Sequence, residues 1–67
     1  MNNYLESLEV GTKVKLTVKK GERDYYYIGT ILENSGSMEY IVVKDKNGKE
    51  VYSVYDRVMD LEVQESE

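Results

Sequence analysis

The chain has 67 residues, of which 40% are apolar and 33% are charged, and it has a net charge of −4 with no cysteine and no histidine. A chain of this length makes one small domain with a marginal core. The missing residue types exclude disulfides, thiolate metal sites and histidine-based acid–base chemistry. The sequence contains no long apolar run and no signal-like N-terminus, so we expect a cytoplasmic protein without a membrane span.

Residues 1–10, MNNYLESLEV, form the first predicted element. Tyr4, Leu5 and Leu8 recur at helical spacing, which indicates a short helix or turn lying over one end of the fold. Gly11 follows directly and is typical of the position just past a helix end.

Residues 12–20, TKVKLTVKK, alternate between apolar and polar side chains and predict the first strand. Val14, Leu16 and Val18 are expected to face the core. The opposite face then carries a row of lysines, which also discourages pairing between strand edges.

Residues 25–32, YYYIGTIL, are the longest apolar, β-branched and aromatic run in the chain. Such residues suit a strand, and both alternating faces are largely apolar. We therefore predict a central strand that is covered on both sides for part of its length. Gly29 within it indicates a bulge, a bend or the close approach of another backbone, and a bend is the prediction we favour.

The rest of the chain predicts three more strands. Residues 34–37 indicate a turn, 38–44 a strand, and the Asn47-Gly48 pair a hairpin leading into a strand over 49–55. A break at Asp56-Arg57 precedes a last strand over 58–63, and residues 64–67 form an acidic flexible tail. Five short strands in so short a chain predict an all-β fold, a small five-stranded barrel preceded by a short helix or turn.

This order of elements resembles the SH3-like small barrels, and the likeness covers residues 11–63. The matching segments are the opening strand 11–16, the Gly-x-Ile strand 27–31, the hairpin at 47–48, a single 3₁₀ turn near 55–58 and the closing strand 59–63. The resemblance implies a barrel domain over 11–63, and a fold of this kind by itself does not imply a function.

Two groups within that superfamily are more similar still. The Sm-like barrels also have Gly-x-Ile in a middle strand, although the sequence does not match their RNA-binding signature. The small bacterial Veg family looks similar over residues 10–16, 29–33 and 51–58, but the basic, glycine-rich stretch after its first strand is largely missing here. These likenesses imply a bacterial protein with a nucleic-acid role, or a phage-encoded inhibitor on the same scaffold.

The first functional hypothesis is a non-enzymatic protein-interaction module, inhibitor or regulator without cofactor or metal, because no catalytic set of residues is present. All seven aromatic residues are tyrosines, which suit surfaces that are apolar at one end and wet at the other. Tyrosines at the rim of a small fold with their hydroxyls in water are the equally weighted alternative. The predicted protein-binding residues are Tyr25, Tyr26, Tyr27, Tyr40, Tyr52 and Tyr55.

The second hypothesis is a nucleic-acid-binding module, because the charge is segregated along the chain. Residues 13–24 hold five basic and two acidic side chains, whereas residues 56–67 hold five acidic and one basic. The predicted phosphate-binding residues are Lys13, Lys15, Lys19, Lys20 and Arg23, with tyrosines stacking on bases. A solvated charged surface is the plainer explanation, and self-association through an exposed strand edge is a third hypothesis.

Overall fold

A computed structural model describes residues 3–64, and five antiparallel strands make up most of them. The predicted all-β class is therefore confirmed. The elements in chain order are helix α1 (Asn3–Glu6), strands β1 (Lys13–Lys20), β2 (Arg23–Ser35), β3 (Tyr40–Asp45) and β4 (Glu50–Val54), a 3₁₀ turn (Tyr55–Arg57) and strand β5 (Val58–Val63).

The strands form a single sheet in the order β4-β3-β2-β1-β5, so β4 and β5 are its two edges. The predicted closed barrel is therefore wrong, since none of the pairings among residues 3–64 joins β4 to β5. Closure is not needed to bury the core. The N-terminal segment covers part of it, and the Leu5 side chain is only 3% exposed.

Strand β2 is central, as predicted, and its thirteen residues serve two partners. Residues 23–30 pair with β1, and the section from Gly29 onward pairs with β3. Gly29 and Thr30 are paired on both sides. A Cβ atom on Gly29 would lie 2.1 Å from the carbonyl oxygen of Lys44, so this glycine serves the close approach of the neighbouring backbone. The irregularity in the ladder lies further on, between Ile31 and Glu33.

One face of the sheet holds the core. The buried cluster consists of Leu5, Val14, Leu16, Val18, Ile31, Ile41, Val43 and Leu61. The predicted inward face of β1 is thereby confirmed. The expectation that β2 is covered on both sides is wrong, because Tyr26 is 65% and Ile28 49% exposed. The only α-helix within residues 3–64 is four residues long and packs through Leu5 on the core side.

The N-terminal segment is attached to the sheet by the side chain of Asn34 near the end of β2. Its amide nitrogen donates to the carbonyl oxygens of Leu5 and Leu8, each at 2.8 Å. Its Oδ1 accepts a hydrogen bond from the Tyr55 hydroxyl at 2.5 Å. A residue predicted to begin a turn therefore joins the N-terminal segment, β2 and the 3₁₀ turn.

The element boundaries agree best near the C-terminus. The closing strand occupies Val58–Val63 and the turn before it is the predicted 3₁₀ turn. Of the predicted N-terminal segment, the structure shows a helix over Asn3–Glu6. Residues 1–2 of the predicted N-terminal segment and 65–67 of the predicted tail lie outside the described residues.

Candidate functional site

The side of the sheet opposite the core is the candidate binding surface, and it is called the outer face below. Across β1 and β2 the register sets Thr17 beside Tyr26, Lys15 beside Ile28 and Lys13 beside Thr30. Tyr26 and Ile28 are exposed large side chains in the middle of a regular sheet. Surface apolar residues that lie side by side, unlike scattered ones, are typical of binding sites.

The structure separates the six predicted tyrosines into groups. Tyr26 lies on the outer face, whereas Tyr25 and Tyr27 take the opposite side of β2 because side chains alternate along a strand. Tyr40 and Tyr52 are in ring contact, with centroids 5.1 Å apart. The six therefore do not form one continuous patch.

Two of these tyrosines have evident structural roles. Tyr27 and Tyr55 pack against the buried cluster, and the Tyr55 hydroxyl is bonded to Asn34. Burial raises the pKa of Tyr55, with the charges of Glu6 and Glu39 adding to the effect. The aromatic rings of Tyr27 and Tyr55 therefore contribute to packing. Tyr26 and Tyr52 are the most exposed of the six predicted tyrosines.

Lysines cover several of the rings. The Lys15 ammonium lies 4.8 Å from the centroid of the Tyr26 ring. The Lys20 ammonium lies 5.6 Å from the centroid of the Tyr25 ring. It also donates a hydrogen bond to the Tyr27 hydroxyl at 3.4 Å. Contacts of this kind at exposed positions stabilise by about 0.5–1 kcal/mol. They also occupy ring surface that a stacking base would need.

Acidic residues border the predicted basic strip on both neighbouring strands. The register sets Glu62 of β5 opposite Lys15 and Asp60 opposite Thr17. On the other side, Asp24 of β2 is opposite Lys19. Two of the three β1 lysines on the outer face, Lys15 and Lys19, thus have an acidic cross-strand neighbour. Lys20 and Arg23 face each other at the strand ends.

The largest concave feature of the outer face lies where β2 pairs with both β1 and β3. This groove, called the lysine groove below, has a volume of about 590 Å³. Its walls are Lys13, Tyr26, Tyr27, Ile28, Gly29, Thr30, Lys44, Asp45, Lys46 and Asn47. Lys13 alone belongs to the predicted basic set, and Tyr26 and Tyr27 belong to the predicted protein-binding set. Sequence reasoning missed Thr30, Lys44 and Lys46. The alternation of β3, which puts Lys44 on the side opposite the buried Ile41 and Val43, was the available signal for its outward orientation. Its position opposite Thr30 is set by register.

A smaller cavity of about 260 Å³ lies at the other end of β1, beside edge strand β4. It is lined by Val18, Lys19, Lys20, Tyr52, Ser53, Val54 and Arg57. The predicted residues Lys19, Lys20 and Tyr52 therefore come together here, away from the lysine groove.

The Tyr40–Tyr52 pair has a polar partner. The Tyr40 hydroxyl donates a hydrogen bond to the Glu33 carboxylate. This bond raises the pKa of Tyr40, and partial burial and the negative charge of Glu33 add to the effect. Tyr40 therefore stays protonated to a higher pH than an ordinary tyrosine, and its hydroxyl is oriented towards Glu33.

Among residues 3–64, no group of three or more acidic side chains is close enough to hold a metal ion. Within the same range, no helix is both long and apolar enough to cross a membrane. Comparison with protein-family models gives no match, and no curated protein matches the sequence either.

Proposed function

We propose that this chain is a small, non-enzymatic protein-binding module that docks a protein partner through the outer face of β1 and β2. The observation that carries the proposal is the pair of exposed side chains, Tyr26 and Ile28, set among charges of both signs. Protein interfaces combine such apolar anchors, aromatic ones above all, with a polar rim.

The charge arrangement favours a protein over a nucleic acid. Phosphate binding requires basic side chains that neutralise consecutive negative charges. Here Lys15 and Lys19 have Glu62 and Asp24 as cross-strand neighbours. A phosphate chain following β1 would meet these carboxylates, whereas a protein surface can present complementary charges of both signs.

We also propose that the domain is SH3-like in its strand arrangement. Support comes from the sheet order β4-β3-β2-β1-β5, the long strand β2 shared between two partners and the single 3₁₀ turn before β5. The order of the elements along the chain and the 3₁₀ turn before the closing strand match the family pattern, here in an open sheet. Binding of peptides or protein surfaces is compatible with such a scaffold.

A retention experiment tests the function. The tagged protein is immobilised and exposed to extract of the source cells, with and without nuclease. The test variant is Tyr26→Thr with Ile28→Thr, and the matched control is Val10→Thr with Met38→Thr, since Val10 and Met38 are 64% and 72% exposed. Threonine suits the strand positions 26 and 28, and Val10 and Met38 are exposed turn residues outside the core, so both variants should fold.

We expect a protein that the wild type and the control retain and the test variant loses, whether or not nuclease is added. If the wild type retains the protein without nuclease and loses it when nuclease is added, the nucleic-acid alternative is favoured. That alternative also predicts that the chain binds labelled RNA or duplex DNA and that this binding weakens steeply with salt. Equal retention by both variants would place the docking surface elsewhere and overturn the proposal.

A further inference from the structure

The lysine groove is lined by a threonine that has a lysine as its cross-strand neighbour on each side. In the register, Thr30 of β2 has Lys13 of β1 on one side and Lys44 of β3 on the other. All three residues are exposed and line the groove, and Lys46 of the hairpin lines it as well. Three flexible cations around one hydroxyl are suited to a single anionic group.

The groove has little negative charge of its own. Its one acidic side chain is Asp45, whose Oδ1 accepts hydrogen bonds from the backbone amides of Asn47 and Lys49, each at 2.9 Å. Among residues 3–64, Lys13 has Gln64 rather than an acidic residue beside it on the β5 side. Lys44 has Glu50 of β4 as its cross-strand neighbour, but the three lysines that line the groove outnumber its one carboxylate. The local excess of positive charge therefore favours an anion in the groove.

Next to this cationic end lies the apolar part of the outer face. Along β2, Thr30, Ile28 and Tyr26 follow one another at intervals of two residues and share one side of the strand. An extended peptide has the same periodicity, about 6.6–6.8 Å for two residues. If the carboxylate of a bound peptide lies at Thr30, the peptide side chain two positions along would lie at Ile28. The side chain four positions along would lie at Tyr26.

We propose that the lysine groove binds an extended acidic peptide segment of the protein partner, with a carboxylate at one position and apolar side chains two and four positions away. The inference rests on the proposed function and specifies the chemistry of the partner. A nucleic acid fits less well. Glu50 of β4 is paired with Lys44, and Glu62 of β5 is paired with Lys15. Phosphates next to the one bound in the groove would therefore meet these carboxylates.

The test uses the ¹⁵N-labelled full chain and a synthetic peptide, acetyl-Gly-Gly-Glu-Ser-Leu-Ser-Leu-Gly-Gly-amide, followed by amide chemical shifts. A second peptide has glutamine in place of glutamate, and oligothymidine serves as the nucleic-acid probe. The test variant is Lys13→Gln with Lys44→Gln. The control, Lys19→Gln with Lys49→Gln, makes the same charge change on lysines outside the groove.

We expect the glutamate peptide to shift the amides of Ile28, Gly29 and Thr30 at near-physiological salt, with weaker binding of the glutamine peptide. The test variant should bind the glutamate peptide about three- to tenfold more weakly than the control does, because it loses two exposed ion pairs of modest strength.

Other outcomes overturn the inference, and they separate its failure from that of the proposed function. Equal binding of both peptides at these amides would leave a protein-binding apolar face without acidic specificity. Tighter binding of oligothymidine would assign the groove to nucleic acid. If no probe shifts these amides, the lysine groove is not the site, and the retention experiment decides independently whether Tyr26 and Ile28 dock a protein.

Discussion

The hydroxyl group of Tyr55 donates a hydrogen bond to Oδ1 of Asn34 at 2.5 Å, across a separation of 21 residues in the chain. The same Asn34 side chain donates to the carbonyl oxygens of Leu5 and Leu8. Only a side chain with both a donor and an acceptor can serve all three partners. The N-terminal segment and the 3₁₀ turn are therefore joined through one amide.

Replacing Asn34 with aspartate should destabilise the fold by about 1–3 kcal/mol, because the variant keeps the acceptor but faces two carbonyl oxygens without a donor. Urea unfolding at neutral pH, followed by circular dichroism, measures the change. Tyr55→Phe removes one hydrogen bond and should cost about 0.5–1.5 kcal/mol. Tyr52→Phe is the control at an exposed ring, expected within about 0.5 kcal/mol of wild type. An unchanged midpoint for Asn34→Asp would contradict the joining role.

Gly29→Ala should be among the most damaging single substitutions in the chain. The added methyl group would lie 2.1 Å from the carbonyl oxygen of Lys44 and 2.9 Å from the Asp45 Cα, both backbone atoms that cannot move alone. Overpacking typically costs about 1–3 kcal/mol and sometimes more, and we expect the upper end or loss of folding.

Gly36→Ala is the control for the Gly29 variant. Its methyl group would meet the flexible Glu6 side chain at 3.1 Å, which can move aside. Urea unfolding should show a small effect for Gly36→Ala and a large one for Gly29→Ala. Similar midpoints for the two variants would show that β2 and β3 can separate at this point at little cost.

Local pattern predicted much of the fold and less of the site. The alternation of β1 and the Asn47-Gly48 hairpin depend on neighbours in sequence, and both are observed. The full length of β2, which continues to Ser35 past an irregularity, depends on pairing with β3. The grouping of Lys13 with Lys44 depends on register across three strands, so sequence reasoning placed the basic strip along β1 alone.

The exposed face of β2 was mispredicted for a related reason. An apolar run predicts burial, but whether a second layer covers it depends on the elements available elsewhere. In residues 3–64 the only helix has four residues and packs on the core side through Leu5. Tyr26 and Ile28 therefore remain exposed, and these two side chains form the centre of the proposed docking surface.

Tyr40 should ionise at a higher pH than an ordinary tyrosine, chiefly because its hydroxyl donates to the Glu33 carboxylate. Since the pKa is raised in the folded state, the associated stabilisation is complete below the ordinary tyrosine pKa of about 10 and is lost as pH rises through the raised value. A ¹³C NMR titration of the tyrosine ring carbons measures it directly.

Glu33→Gln should lower the pKa of Tyr40 towards its ordinary value. The raised pKa of Tyr55 is the internal control, because burial is its main cause and Glu33 is not among the others. If Tyr40 titrated at the same pH in wild type and Glu33→Gln, the hydrogen bond would not be maintained in solution.

Asp45 should control the order of the hairpin that carries Lys46 to the lysine groove. Its Oδ1 accepts the amides of Asn47 and Lys49, while its carbonyl oxygen accepts that of Gly48 at 3.0 Å. In Asp45→Ala, hydrogen exchange should accelerate most at Asn47 and Lys49, with a loss of about 1–2 kcal/mol in stability.

The Gly48 amide is the control within the same turn, because it donates to the backbone carbonyl oxygen of residue 45 and not to the side chain. Asp45→Asn keeps an acceptor oxygen and should retain most of the protection. Uniform acceleration at all three amides would instead mean that the whole hairpin opens, and the loss could not be assigned to the carboxylate.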